Sequence, residues 1–198
     1  HRAAWLSGVL TPLSRFAYYG PAPLHLYDAN VRGCGKSLLT DVTSVITAGR
    51  EMARMTQPRD EDEFRKRITS LAMAGELLIL IDNISGVLGG ASLDAALTAT
   101  TWSDRILGRS EMASNLPLSA TWYATGNNVV LMADTARRTL HVRLESPEES
   151  PEERTGFQHP DLLAWVRKER PRLTVAAMTV LRGYWSAGRP SMGLTPWG

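Results

Sequence analysis

The spacing of apolar residues along the chain switches several times between alternate positions and positions three or four apart. Alternation and short apolar runs predict strands, whereas the three- and four-residue spacing predicts helices. Because strands and helices follow one another in turn, the pattern predicts an α/β fold with a mainly parallel five-stranded sheet flanked by helices. The predicted strands cover residues 24–29, 51–57, 76–83, 119–128 and 139–145. The predicted helices cover residues 2–17, 37–48, 58–73, 92–101, 134–138 and 161–186, and a hairpin or extended excursion is predicted at 102–118.

Breaking residues divide the chain into three predicted parts. The stretch GPAP closes an N-terminal helical segment, residues 1–22. A polar, proline-containing loop begins a C-terminal helical segment and tail, residues 147–198. All five predicted strands fall in the core between them, residues 23–146. Ser92 is the expected N-cap of the helix at 92–101, because a serine hydroxyl can accept a hydrogen bond from a free N–H group of the first turn.

The composition narrows the classes of protein to which the chain can belong. Its 198 residues, 43% of them apolar and 21% charged, suit one medium-sized globular domain. A net charge of only +2 gives no strong overall field toward nucleic acid, so any such contact must come from a local patch. The single cysteine excludes an intrachain disulfide, and the longest apolar runs are too short to cross a bilayer. These features favour a cytoplasmic protein with no membrane partner.

The segment NVRGCGKS, residues 30–37, follows the pattern GxxxxGK[ST] of a phosphate-binding P-loop (Walker A motif), except that Asn30 replaces the first glycine. It lies between a predicted strand and a predicted helix, where backbone N–H groups and the helix N-terminus can face phosphates. Asparagine tolerates left-handed backbone angles better than other non-glycine residues, so Asn30 is expected to make the turn itself. Cys34 is interpreted as a small residue in a tight loop rather than as a redox group.

This loop predicts a site for ATP and Mg²⁺. Lys36 is expected to reach the β- and γ-phosphate oxygens, and the Ser37 hydroxyl is expected to hold Mg²⁺. The alternative, a solvent loop with a chance Gly-Lys-Ser sequence, is disfavoured by the flanking strand and helix. The predicted nucleotide-binding residues are Asn30, Gly33, Cys34, Gly35, Lys36, Ser37 and Leu38.

Asp82 ends the apolar strand LLILID and is the second candidate for the metal site. An acid at the carboxyl end of a buried parallel strand lies at the ligand-binding edge of the sheet, although a lone aspartate there also suits a helix cap or a turn. In many ATPases the next residue is a glutamate that orients the attacking water, whereas here it is Asn83. An amide cannot accept a proton as a carboxylate does. Either hydrolysis is slow, or another acid serves, or Asn83 only positions water.

Two further polar pairs are candidates for the same site. Asn127 and Asn128 end a predicted strand, where an amide can orient water or contact the γ-phosphate, although Gly-Asn-Asn also suits a turn. Arg137 and Arg138 lie on a short predicted helix. Arginine stabilises the charge of a transferring phosphoryl group, often from a neighbouring subunit, and the alternative is a solvated or salt-bridged pair.

Taken in order, these motifs resemble the ATPase core of superfamily 3 helicases within the AAA+ class, and most of all the helicase-like domains of phage and plasmid primase–helicases. The resemblance covers residues from about 24 to 145. It implies an AAA+-like P-loop NTPase fold and an ATP-hydrolysing motor that acts on DNA in replication, as a ring expected to be hexameric. The segments that carry it, besides the P-loop and the acid strand, are LTATTWSDRILGRSEM, WYATGNN and DTARRTLHVRL.

The resemblance also implies roles for the later motifs. Leu97 through Met112 would form a hairpin that lines the central channel, with Arg105 and Arg109 touching DNA that is expected to be single-stranded. From the residues alone, the alternative is that these arginines pair with Asp104 and Glu111.

In the same family a strand that ends in asparagine is a sensor, which Asn127 matches best and Asn128 next. The Asp-x-x-Arg-Arg segment resembles the arginine-finger region, and either Arg137 or Arg138 is the finger. A function of another class stays open, namely a nucleotide-gated module that remodels or supports other proteins with weak hydrolysis. The modest charge and Asn83 favour this alternative.

Overall fold

The computed structural model describes residues 1–108 and 110–193, so the predicted DNA contact at Arg109 and the predicted tail at 194–198 lie outside the described residues. The strands in chain order are β1 (Leu24–Ala29), β2 (Ala53–Thr56), β3 (Leu78–Leu88), β4 (Thr101–Arg105), β5 (Met112–Pro117), β6 (Thr121–Leu131) and β7 (Thr139–Leu144). Five of them form one sheet in the order β2–β3–β6–β1–β7, and all neighbouring pairs are parallel. The predicted parallel α/β sheet is therefore confirmed. Strands β4 and β5 pair separately as the predicted antiparallel hairpin.

Helices cover both faces of the sheet. Their bounds are α1 (Arg2–Ser14), α2 (Lys36–Ala48), α3 (Glu61–Met73), α4 (Ala91–Thr98), α5 (Ala133–Arg137) and α6 (Leu162–Ser186). Apolar residues of α3 and α4 pack on one face of the sheet, and α1, α2 and α6 share a core on the other side. Since both faces are covered, the central strands are buried along nearly continuous apolar runs. No helix among the described residues is long and apolar enough to cross a membrane.

The carboxyl ends of the central strands meet at one edge of the sheet, because the strands run in parallel. Asn127 of β6 pairs in register with Ala29 at the end of β1 and with Ser85 of β3. The segment after β1 leads directly into α2, whose first turn therefore lies above this edge. Any ligand that contacts residues 30–37 also faces the ends of β3 and β6.

The strands β3 and β6 are longer than their sequence pattern predicts. The ladder between them passes two irregularities and continues to Val87↔Val130 and Leu88↔Leu131. The interpretation of Gly-Asn-Asn as a turn is therefore wrong, since the paired strand runs on past Asn128. A prediction based on apolar positions ends a strand where polar residues begin, even when the strand continues through them.

The predicted helix cap at Ser92 is also wrong. The cap position is Gly90, whose φ of 136° is a conformation that glycine adopts most readily. Ser92 lies inside the first turn, where its N–H group donates to Glu61 Oε2 at 3.0 Å. The first turn of α4 is thus held by a side chain of α3, a partner that a local cap rule cannot identify.

The first and last helices differ in part from their predictions. Helix α1 ends at Ser14, so Phe16 of the predicted helix lies beyond it and is 80% exposed. Helix α6 is continuous through Pro171 and packs on α2. Arg170 Nε donates to the Val45 carbonyl near the end of α2 at 2.8 Å, and the same carbonyl accepts from the Gly49 N–H group at 3.0 Å.

Candidate functional site

The loop between β1 and α2 has the backbone that phosphate binding requires. Gly33 and Gly35 have φ angles of 75° and 86°, the left-handed region that glycine enters at little cost. Gly35 precedes the first turn of α2, which has no side-chain cap, so its leading N–H groups remain available to a ligand. A side chain at Gly33 would be strained by this backbone angle and would require the flexible side chain of Glu152 to move away. The positive end of the α2 dipole adds to the attraction for an anion.

The structural role of Asn30 differs from the predicted one. It is absent from the non-glycine residues with positive φ among the described residues, so it does not supply a left-handed turn. Its side-chain amide instead pairs with the backbone of Ser146: Nδ2 donates to the carbonyl at 2.8 Å, and Oδ1 accepts from the N–H group at 3.0 Å. The residue fixes the start of the loop to the segment that follows β7, a contact that a glycine could not make.

Lys36 and Asn127 are in direct contact. The ammonium group donates to Asn127 Oδ1 at 2.8 Å, so the lysine points across the loop toward the end of β6. Partial burial lowers the pKa of Lys36, while the nearby Cys34, Asp28 and Asp82 act in the opposite direction. The hydrogen-bond partner of the ammonium group is a neutral amide, which a charged phosphate oxygen can replace as a stronger acceptor.

Asp82 lies at the same edge of the sheet as Lys36, because it contacts Thr125 of β6, two residues before the Asn127 that Lys36 binds. Its Oδ1 accepts a hydrogen bond from Thr125 of β6, and its Oδ2 forms an ion pair with Arg54 Nη1 at 3.0 Å. The other side of the guanidinium binds Asp41 of α2 at 2.7 Å. Burial raises the pKa of Asp41, and Arg54 acts against that rise. Neither Arg54 nor Asp41 was predicted from the sequence, since no motif contains them.

Asn83 contacts the Asp82–Thr125 pair through its backbone N–H group rather than through its side chain. It has a φ of 57° at an irregularity of β3, and its N–H group donates to Thr125 Oγ1 at 3.1 Å. The residue is exposed. Thr125 therefore links the backbone after Asp82 to the carboxylate of Asp82 itself. This arrangement explains why an asparagine is tolerated here: it takes a left-handed angle more easily than most residues.

A second ionic cluster lies beneath the phosphate loop. Asp28 of β1 has no exposed surface, and its Oδ2 is bound by Arg143 of β7 at 2.7 Å and lies 3.4 Å from His141 Nε2. Arg143 also donates to Asn128 Oδ1 at 2.8 Å. The two asparagines of β6 thus serve different partners, since Asn127 contacts Lys36 and Asn128 contacts Arg143.

The two arginines after β6 differ in their environment. Arg138 is held within its own chain, because its Nη1 donates to the Asp134 carbonyl at 3.0 Å and lies 3.8 Å from Asp94. Arg137 ends α5, is exposed, and forms neither a hydrogen bond nor an ion pair within the part of the chain that the structure describes. Of the two, Arg137 is therefore the one available to another molecule.

The hairpin β4–β5 is anchored to α3 through a buried acid. Asp104 accepts hydrogen bonds from Arg65 and, at 2.8 Å, from Thr69, which in turn accepts from Trp102 Nε1 at 2.9 Å. Asp104 also accepts from the backbone N–H group of Arg105 at 2.8 Å. Arg105 is exposed beside the turn of the hairpin.

The hairpin begins later in the chain than predicted, and its turn exposes an apolar side chain. Its first strand begins at Thr101, and Leu97, where the predicted element starts, is instead a buried core residue of α4. The turn carries Leu107, which is 78% exposed. The hairpin thus presents both a cation and an apolar side chain.

The donor set fits Mg²⁺ bound together with a nucleotide rather than alone. Among the described residues, no three His, Cys, Asp or Glu side chains converge to hold a metal ion. Ser37 is the second residue of α2, and Asp82 lies at the facing strand. These two oxygen donors suit a metal that keeps several waters and takes its other ligands from phosphates.

Comparison with solved structures gives the fold and no more. The C-terminal region of NrS-1, in its apo A form, matches with a TM-score of 0.54 and 12% identity, over 87% of this chain and 44% of that chain. Two structures of JCV helicase, one with a bound small molecule, match with TM-scores of 0.48 and 0.42 and 8% and 9% identity, over 90% and 91% of this chain. The chain spans 53% of each JCV helicase chain, so it covers about half the length of the structures it matches. No protein-family model and no curated protein matches the sequence.

Proposed function

We propose that the chain is an ATP-binding and ATP-hydrolysing motor domain that acts on DNA as a ring, as in the superfamily 3 helicases of phage and plasmid replication. One observation carries the proposal: Lys36, in the first turn of α2, and Asp82 contact β6 at residues only two positions apart, and Arg54 links Asp82 to Asp41 of α2. A triphosphate with its metal needs a cation, free N–H groups and an acid in this arrangement.

In this proposal the residues of the cleft share the work of binding. The N–H groups of residues 33–37 hold the phosphates, and Lys36 leaves Asn127 for the β- and γ-phosphate oxygens. Ser37 and Asp82 hold Mg²⁺, which when bound neutralises charge on the phosphates. Asn127, freed from the lysine, faces the γ-phosphate and orients the attacking water. Thr125 and Arg54 contact the carboxylate of Asp82, and Asp41 binds Arg54.

Arg137 is proposed to complete the site of a neighbouring subunit. Arg137→Ala is expected to lower ATP turnover about 10³-fold with little change in ATP affinity, because the finger acts on the transition state. Arg138→Ala, which removes contacts within the chain, is expected to act mainly on stability. Steady-state phosphate release and calorimetric ATP titration measure the two quantities.

Mixing two inactive variants tests whether Arg137 acts across subunits. Lys36→Ala subunits supply a finger and no working site, whereas Arg137→Ala subunits supply a site and no finger. Mixed rings should recover a fraction of the turnover. Failure to recover any, or mass measurements that show only monomer with ATP and Mg²⁺ at high concentration, would contradict the ring.

The hairpin is proposed to grip DNA. Single-stranded DNA should stimulate ATP turnover, and the double variant Arg105→Ala with Arg109→Ala should lose most of the stimulation while keeping basal ATP binding, since it removes cations that meet phosphates. Lys168→Ala on α6 is the control for loss of a positive charge elsewhere. Stimulation that persists in the double variant would show that the hairpin is not the DNA contact.

A second function is favoured by the geometry at Asn83. The residue is exposed and left-handed, and no glutamate stands beside Asp82 to activate water. A nucleotide-gated module that remodels or supports protein partners with weak hydrolysis would need only binding. Intact ATP affinity without DNA-stimulated phosphate release would favour this alternative.

A further inference from the structure

Arg54 lies between two carboxylates at the edge of the candidate metal site. It extends from the edge strand β2, and its two terminal nitrogens bind Asp82 at 3.0 Å and Asp41 at 2.7 Å. The side chain is 39% exposed, and those of Asp82 and Asp41 are 20% and 22% exposed. A unit positive charge is thus in contact with the acid that is proposed to hold Mg²⁺.

An arginine in contact with a metal-binding carboxylate has a consequence for metal affinity. Its charge repels a divalent cation that approaches the same carboxylate, and its hydrogen bond occupies one of the two oxygens. Thr125 already occupies the other oxygen. Both oxygens of Asp82 have a protein donor, so Mg²⁺ approaches a carboxylate that already has two hydrogen-bond partners.

Asp41 sets how strongly Arg54 competes. It lies one helical turn after Ser37 on α2 and binds the guanidinium from the side opposite Asp82. Its negative charge offsets that of Arg54 and attracts Mg²⁺ to the site. Loss of Asp41 would leave Arg54 with Asp82 as its one carboxylate partner among the contacts described.

We propose that Arg54 is an internal counter-cation that occupies Asp82 without metal and raises the Mg²⁺ concentration needed for nucleotide binding, and that Asp41 moderates this effect. The inference rests on the proposed function, because it assumes that Asp82 serves Mg²⁺ and ATP. With Arg54 in this role, the affinity for the nucleotide depends on the concentration of free Mg²⁺. A structural ion pair at a surface strand would have no such effect on metal dependence, and its contribution to stability would be small.

The test is the binding of a slowly hydrolysed fluorescent ATP analogue as Mg²⁺ is titrated. Arg54→Met should lower the Mg²⁺ concentration for half-maximal binding about fivefold, the effect of one unit charge at contact distance in a solvated site. Asp41→Asn should raise that concentration by a similar factor. In EDTA, Arg54→Met should bind the analogue no more tightly than the unchanged protein, because the gain depends on metal.

Two further variants serve as controls. Arg54→Lys keeps the charge and should have nearly the unchanged Mg²⁺ dependence. Arg50→Met removes a charge from the segment just before β2, where Arg50 pairs with Glu76 at 3.0 Å, and should also leave the Mg²⁺ dependence unchanged. Thermal melting verifies that each variant is folded, and Arg54→Gln replaces Arg54→Met if the latter is not.

Several outcomes would overturn the inference and are distinct from failure of the proposed function. An equal or higher Mg²⁺ requirement in Arg54→Met would mean that the arginine only positions Asp82. Effects of Arg54→Met and Asp41→Asn in the same direction would mean that the pair is structural. If the unchanged protein binds the analogue equally with Mg²⁺ and in EDTA, Asp82 holds no metal. If it does not bind the analogue at all, the proposed nucleotide site itself is rejected.

Discussion

Lys36→Ala is expected to weaken ATP binding by about 2–3 kcal/mol, which corresponds to about 30- to 150-fold in Kd. The ammonium group is the one lysine charge in the cleft, and charge-assisted hydrogen bonds to phosphate are among the strongest that a protein makes. Partial burial, which lowers the pKa of Lys36, also reduces the screening of its charge by water. Isothermal calorimetry with Mg²⁺ measures the loss directly.

The matched control is Lys66→Ala, which removes the same side chain from α3, a helix on the other face of the sheet. It should leave ATP affinity unchanged. The truncation at Lys36 also leaves Asn127 Oδ1 without its donor, so circular dichroism and thermal melting should accompany the titration. Equal ATP affinity of the unchanged protein and Lys36→Ala would reject the site, and with it the proposed function.

Arg143→Met is expected to lower the free energy of unfolding by about 3–5 kcal/mol, the largest effect on stability predicted for this chain. The cost arises because Asp28 has no exposed surface and would lose its closest cation. His141, at 3.4 Å, would be its remaining basic neighbour in the cluster. A buried carboxylate without a paired charge is far less stable than the same group in water. Urea denaturation with linear extrapolation gives the value.

Two companion variants separate this effect from a general loss of arginine. Arg172→Met breaks an exposed pair with Glu169 at 2.7 Å and should cost less than about 1 kcal/mol. The double variant Asp28→Asn with Arg143→Met should recover much of the loss, because a neutral amide is cheaper to bury than a charge. A loss in Arg143→Met no larger than in Arg172→Met would show that Asp28 is not stabilised by this pair.

The elements of the sheet were largely predictable, because burial on both faces leaves a simple apolar pattern. Strand β1 was predicted with its bounds, and α3 lies within the helix predicted at 58–73. The first turn of α3 is acidic, and the Asp60 side chain accepts from the Asp62 N–H group at 2.8 Å. The ends of β3 and β6 were missed, since the residues that extend them are polar or irregular. Local patterns describe the middle of an element better than its end.

The candidate site was predictable only where its residues are close in sequence or carry a motif. The loop at 30–37 and Asp82 were singled out in this way, and their proximity at one edge follows from the parallel sheet. Arg54, Thr125 and Arg143 were missed because each is an ordinary residue of a strand. They gain a role only through partners that lie 28, 43 and 115 positions away in the chain.

The asparagine that replaces a glycine at the start of the phosphate loop has a mechanical consequence. The side-chain amide of Asn30 forms two hydrogen bonds with the backbone of Ser146. These bonds connect the loop to the segment that follows β7. That segment continues to α6, which in turn binds the far end of α2 through Arg170 and Thr174. Helix α2, which starts at this loop, is thus held at both ends by one stretch of polypeptide. The loop is therefore connected to the C-terminal helix in two ways, through α2 and through the segment that follows β7.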